Sequence, residues 1–594
     1  MKKCVKIISL CLCFTLAIPF AACGREEQPS ESLTRREKFW TAGEEKENEA
    51  FTSFTKRVFQ KAYANDMLNL HFTVKEPENY GIERPAMDLM AESDFDDQAI
   101  LDELNAFDFN SLSRENQITY SIIKEDLTDS VSWRDIPSLE SSFSYASGLQ
   151  TNLVTFATEY EFFIEQDIKD YLDMMNQIPE CFATLLSEEA ARVEEGYGYP
   201  DFLLDDIISQ FSDVSSEGEE SCFISAFDER VDAFDGVSDS QKRAYKEENK
   251  AIVLEKVFPA YEETAKGLAA LKGKGSLSGS LSDFGEEGKA YYEMKMKGKS
   301  SYNGTVDQLY KELSEFYAEN LTTFQNFVGS SQAVYNQYRT WGSGKAVTPT
   351  DPVEILDFYS ANLSSIFPPI EDTTYSVKYL SKSIAATMPN TLAYYLIPQI
   401  DNYRNGSITV NPYAGDDAGA MNTLCHEGYP GHFYQNVYFM SREPDPVRTL
   451  FSFSGYTEGW AVYAANRAAY VYEYPASACY YYRFDEINIS LNYAMCALMD
   501  IDVHYYGKTA ADLAVTYQLD EEVAEEVYRS LVQMPGVYLS YGVGCCEMYA
   551  LRKKAIALAG VSFDELEFHQ FILEVGPCNF GLLFSLAQEF YQGV

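Results

Sequence analysis

Basic residues are scarce in this 594-residue chain: 46 Lys and Arg stand against 91 Asp and Glu, a formal net charge of −45. Such a surface repels phosphate backbones and anionic headgroups, so nucleic acid is excluded as a partner and a membrane can be met only through an anchor. Histidine is rarer still, with five copies. Any imidazole chemistry therefore falls to His71, His426, His432, His504 or His569. The 12 cysteines contain no C-x-x-C pair, which argues against a thiolate zinc knot, and their sparseness argues against a disulfide scaffold. Long apolar runs are missing after the first residues, so no later segment spans a membrane. What the chain does have is 46% hydrophobic residues, enough for a large core and too many for a disordered protein.

The N-terminus carries the one apolar run, Ile7 to Ala22, behind Lys2, Lys3 and Lys6. It is shorter than the ~20 residues that cross a bilayer and is predicted to be a signal peptide over 1–22. Phe20-Ala21-Ala22-Cys23 resembles a bacterial lipobox, with Phe20 where Leu is usual. The resemblance implies cleavage before Cys23 and lipidation of its thiol; the alternative is an ordinary secreted protein cut near Ala22. The expected location is extracytoplasmic, lipid-anchored to the bacterial cell membrane, since two or more acyl chains give stable attachment. Residues 23–50, rich in charge, are expected to form a lipidated tether.

Helical periodicity dominates the rest. Phe51, Phe54, Val58 and Ala62 recur at helical spacing, and Ser113 is placed to cap a helix bearing Ile118, Ile122 and Leu127. Thr509-Ala-Ala-Asp512 and Ser562-Phe-Asp-Glu565 read as helix starts, and Gly507, Gly560 and Gly576 as helix stops. One strand stands out, Ser407 to Val410, β-branched between Gly406 and Pro412. The fold is therefore expected to be mainly α, with a small β element beside the motif described next. A Gly-rich break over 342–352 suggests an N-terminal helical region over 51–350 and a catalytic one over 351–594.

Two of the five histidines lie in Cys425-His-Glu-Gly-Tyr-Pro-Gly-His-Phe-Tyr-Gln435. A neutral imidazole is a zinc ligand, and an adjacent carboxylate can act as general base. In H-E-x-x-H both histidines share one helical face. Here the second is at i+6, a rotation of ~240° that would point the rings apart on an unbroken helix. Pro430 cannot donate to the His426 carbonyl and Gly431 permits unusual dihedrals, so the helix is predicted to end near Glu427 and resume near His432. On spacing alone, two structural histidines remain the simpler alternative. A third ligand is available in Glu458 of Gly455-Tyr-Thr-Glu-Gly-Trp-Ala-Val-Tyr463, although a carboxylate is also favoured merely as the start of a helix.

His-Glu-x-x-Pro-Gly-His-x-x-Gln followed by Glu-Gly-Trp-Ala resembles the bacterial domain-of-unknown-function family 885, which is grouped with gluzincin-type zinc metallopeptidases. Asp500-Ile-Asp-Val-His504, Pro535 to Gly544 and Phe563 to Gly576 resemble further elements of that family, over about 405–585. Asp502 and Val537 depart from its usual residues. The resemblance implies a large multi-helix zincin-like fold, zinc held by His426, His432 and Glu458, and Glu427 as base.

A peptidase mechanism would use Glu427 to take a proton from water and return it to the leaving amine. The developing oxyanion needs a donor besides the metal, for which Tyr541 and His504 are the candidates. Strand 407–410 could pair with an extended peptide substrate, and Arg552 or Arg467 could grip a substrate carboxylate. Two other readings compete. One is a non-catalytic lipoprotein binding peptides or glycans, its metal absent or closed by a fourth ligand such as His504. The other is a cysteine hydrolase built on Cys425, for which His426 is badly placed as base.

Overall fold

The computed structural model describes residues 34–91, 95–275, 278–342, 348–380, 385, 391–414 and 420–593. The expected signal peptide and Cys23 lie outside them. Among the described residues helices predominate, with one three-stranded sheet, in line with the expected mainly α fold with a small β element. Among the described residues no helix is long and apolar enough to cross a membrane.

Local signals account for many of the helix ends. Ser113 caps Arg114–Trp133 by accepting from the Asn116 amide. Thr509 and Asp512 form a reciprocal capping box at the start of Ala510–Tyr517. Gly560 and Gly576 follow the last residues of Val537–Ala559 and Glu565–Val575. The cap of the latter helix is Asp564, whose carboxylate accepts from the Glu567 amide; Ser562 instead closes the short 3-10 turn before it.

The expected tether is shorter than its charge suggested. Thr34 caps a helix over Arg35–Phe39, and a second helix runs over Glu45–Ala62. Arg35 pairs with Glu567, Arg36 pairs with Glu574 at 2.7 Å, and Phe39 is buried against Phe571 and Phe590. Two of the charged residues expected to be solvated, Arg35 and Arg36, thus have partners at the far end of the chain.

The largest apolar cluster joins Phe51, Phe54 and Ile118 to Leu424, Phe433, Trp460, Phe571 and Phe590. A second packs helices between 149 and 271 and reaches Met499 and Val503. A third links Tyr292 and Leu309 to Leu498 and Leu539. Residues on both sides of position 350 thus share cores.

The sheet consists of β1 (Thr374–Tyr379), β2 (Ala393–Leu396) and β3 (Asn405–Val410). Its order is β1-β3-β2, with β3 parallel to β1 and antiparallel to β2. The strand seen in the sequence is therefore the central one. Both its edges are already paired, so it cannot receive a substrate strand, which corrects that expectation. Gly406 and Ile408 face the helices that carry the two motif histidines: a Cβ on Gly406 would meet the Phe433 ring, and Ile408 packs beneath Gly428.

Candidate metal centre

The motif folds as two helices, Ala420–Glu427 and His432–Met440, separated at Pro430 and Gly431 as those residues predict. Three backbone bonds close the gap: Gly428 to Leu424, Gly431 to Cys425 and Tyr434 to Gly428. Gly431 presses so tightly on the first helix that a Cβ there would lie 1.7 Å from the His426 carbonyl oxygen. This turn brings the two imidazoles face to edge, with ring centroids 4.6 Å apart at 89°.

Glu458 enters from the helix Ser454–Ala468. Its Oε2 lies 3.2 Å from His426 Nε2 and 3.3 Å from His432 Nε2. That buried oxygen receives a well-formed hydrogen bond from neither ring. Burial opposes ionisation of Glu458, but the two imidazoles outweigh it and hold the carboxyl well below the usual carboxylate range. Burial also opposes the charge on His432, and Glu458 and Glu427 more than offset it. Among the described residues, the ligand atoms of His426, Glu427 and His432 all fall within 4.8 Å of one another. Glu427 is fixed by the sheet: the Tyr395 amide on the outer edge of β2 donates to its Oε2 at 2.9 Å, while its Oε1 stands 4.0 Å from His426 Nε2. Side-chain exposures of 13–22% leave the four groups reachable from solvent.

Two imidazoles and a carboxylate, converging with an unsatisfied buried oxygen, make a donor set suited to a zinc ion with an open position. Residues 88–584 match the bacterial protein family of unknown function DUF885. The chain belongs to the DUF885 family. No curated protein matches it. A solved structure from Colwellia psychrerythraea, described as a candidate lipoprotein, superimposes with a TM-score of 0.77 at 17% identity, covering 92% of this chain and 100% of that one. Another, from Shewanella oneidensis and described as a candidate lipoprotein of unknown function, gives a TM-score of 0.53 at 18% identity, covering 93% and 100%. At these identities the likeness is one of fold.

In this DUF885 protein Tyr541 joins the centre. Its ring stacks toward His426 at 6.3 Å and on Tyr493 at 5.2 Å. Burial, then the charge of Glu458, pushes its hydroxyl far above the ordinary tyrosine range, so it stays a proton donor. Its helix, Val537–Ala559, crosses Ser454–Ala468 at Gly459 and Gly544, where a Cβ on Gly459 would lie 2.4 Å from the Gly544 backbone.

His504 does not join it. The ring is fully buried at the end of Tyr481–His504, its Nε2 donating to the Leu531 carbonyl at 3.0 Å and its Nδ1 accepting from the Leu281 amide at 3.2 Å. Both nitrogens are committed, so His504 is neither an oxyanion donor nor a fourth ligand. Arg552 and Arg467 both pair with Glu565. Cys425 is buried, and burial pushes its thiol far above the ordinary range, which removes it as a nucleophile. Cys545 and Cys546 are unbridged buried thiols.

Sequence reasoning missed three contributors. Trp460 donates its indole N–H to the Pro430 carbonyl at 3.0 Å. Tyr493 backs Tyr541, and the Tyr395 amide holds Glu427. Only the first had a signal, its place two residues after Glu458.

Proposed function

We propose that the protein is an extracytoplasmic, lipid-anchored zinc peptidase. The observation that carries this reading is the approach of Glu458 Oε2 to two imidazole nitrogens without a well-formed hydrogen bond to either. His426, His432 and Glu458 would hold the ion. Zinc bound there supplies a Lewis-acidic charge that polarises a peptide carbonyl and acidifies water.

The chain's own residues do the rest. Glu427, oriented by the Tyr395 amide, accepts a proton from the attacking water and delivers it to the leaving amine. Tyr541 keeps its proton and donates to the developing oxyanion.

Zinc analysis of purified protein, alongside a mixed-peptide digest read by mass, tests the reading. Glu427→Gln is expected to keep zinc and lose hydrolysis; turnover retained in zinc-loaded Glu427→Gln protein excludes Glu427 as base. His426→Ala and His432→Ala are each expected to lower zinc content, and unchanged stoichiometry removes that residue from the ligand set. Anchoring through Cys23 agrees with how the two solved relatives are described. Cys23→Ser is expected to release the protein from membranes, and continued fractionation with lipid refutes the anchor.

A further inference from the structure

Val561 is the most open large apolar side chain among the described residues, fully exposed on the 3-10 turn Gly560–Ser562. That turn closes the helix Val537–Ala559, whose last residues are apolar as well. Ile556, Ala557 and Gly560 are exposed with it, while Leu558, Ala559 and Phe563 are half-buried against the largest core. From Met548 to Phe563 there is no Asp or Glu, and Arg552, Lys553 and Lys554 stand just before the tip. In a chain of 91 acidic and 46 basic residues, this tip escapes the general repulsion from anionic headgroups.

The first described helix lies beside this tip. Arg35, next to the capping Thr34, donates to the Ser562 hydroxyl at 3.3 Å and pairs with Glu567. Cys23 precedes Thr34 by about 11 residues, which span at most ~40 Å when fully extended. The carboxylates that follow the tip are already engaged: Glu565 by Arg552 and Arg467, Glu567 by Arg35, and Asp564 as a helix cap. Tyr541 sits near the other end of Val537–Ala559, about 27 Å along the axis from Ala559 at ~1.5 Å per residue.

We propose that the tip over 556–563 is a second membrane contact, dipping into the headgroup layer of the bilayer that holds an acylated Cys23. The span from Cys23 keeps Thr34, and with it Ser562, near that bilayer. The tip has the make-up of an interfacial contact. Its apolar side chains are uncovered, and the basic residues behind them have stems that lie along apolar surface and heads that reach phosphate. A lone acyl anchor leaves the body free to swivel, whereas a second contact fixes its orientation. The metal centre, near the far end of the same helix, stays uncovered. A protein partner is the poorer match, because a stable protein interface buries about 800 Å² per partner and this tip is one turn and the end of one helix. The proposal rests on the anchor at Cys23 and not on the metal.

The test uses the full-length acylated protein in vesicles of phosphatidylcholine and phosphatidylglycerol. Val561→Cys is labelled with an environment-sensitive fluorophore, with the unsubstituted protein treated alike as background. Val515→Cys is the control, on the exposed side of Ala510–Tyr517, whose Leu513 belongs to the second apolar cluster. The Val561 probe is expected to shift to the blue and to lose about half its emission to spin-labelled lipid, with no change at Val515. Flotation of the vesicles reads the anchor separately. Protein that floats with an unquenched Val561 probe keeps the anchor and overturns the tip. Protein that does not float overturns both. A blue shift of the same size in Cys23→Ser protein without vesicles marks a contact between copies of the chain and overturns the membrane contact.

Discussion

The indole of Trp460 holds the Pro430 carbonyl at 3.0 Å, so the helix that offers Glu458 also clamps the turn between the two histidines. The ring is fully buried, edge-on to Phe367 and His569. Trp460→Phe preserves an aromatic filling and removes the bond. Zinc affinity, measured by competition with a chromophoric chelator, is expected to fall about tenfold, as for other groups that orient metal ligands. Unchanged affinity would show that the turn keeps its shape without the indole.

Tyr541→Phe removes the proposed oxyanion donor and keeps its stack on Tyr493. On a peptide identified by the digest, kcat is expected to drop about 10²–10³-fold with little change in KM or zinc content. A change confined to KM would reassign Tyr541 to substrate binding.

His504→Phe leaves the Leu281 amide and the Leu531 carbonyl without their partner. The expected loss is on the order of 2–4 kcal/mol of stability, read by urea unfolding. Zinc content and turnover per folded molecule should match the parent. A selective loss of turnover would restore His504 to the chemistry.

Glu547 is 7% exposed, and burial followed by the charge of Glu312 pushes its carboxyl up to about 8. Its pKa is higher folded than unfolded, so the unfolded chain loses this proton first as pH rises. The contribution of the neutral group is complete below about pH 4.5 and disappears as pH climbs through 8. Glu547→Gln should therefore raise the melting temperature at pH 8 and change it little at pH 4. Equal shifts at both pH values would contradict a titrating carboxyl.

The break in the metal motif was legible because Pro430 and Gly431 each forbid or permit something definite about the backbone. Ser113 and Thr509 were legible for the same reason: a cap needs only its own next three residues. The failures share a cause. His504 sits in a motif-like context, but the groups that claim its nitrogens are 223 and 27 residues away. Arg35 and Arg36 looked free because Glu567 and Glu574 are more than 500 residues further on. The strand at Ser407–Val410 was visible from its β-branched residues, whereas its central place depends on β1 and β2, neither of which stood out in the sequence.

The crossing of Gly459 and Gly544 couples two distances that chemistry would otherwise be free to tune separately. Glu458 precedes one glycine and Tyr541 lies a turn before the other, so sliding either helix displaces ligand and hydroxyl in concert. On the proposed peptidase reading, substitutions that tune selectivity therefore have little scope at that junction and more along the sheet rims, where a residue can alter without disturbing the spacing between carboxylate and phenol.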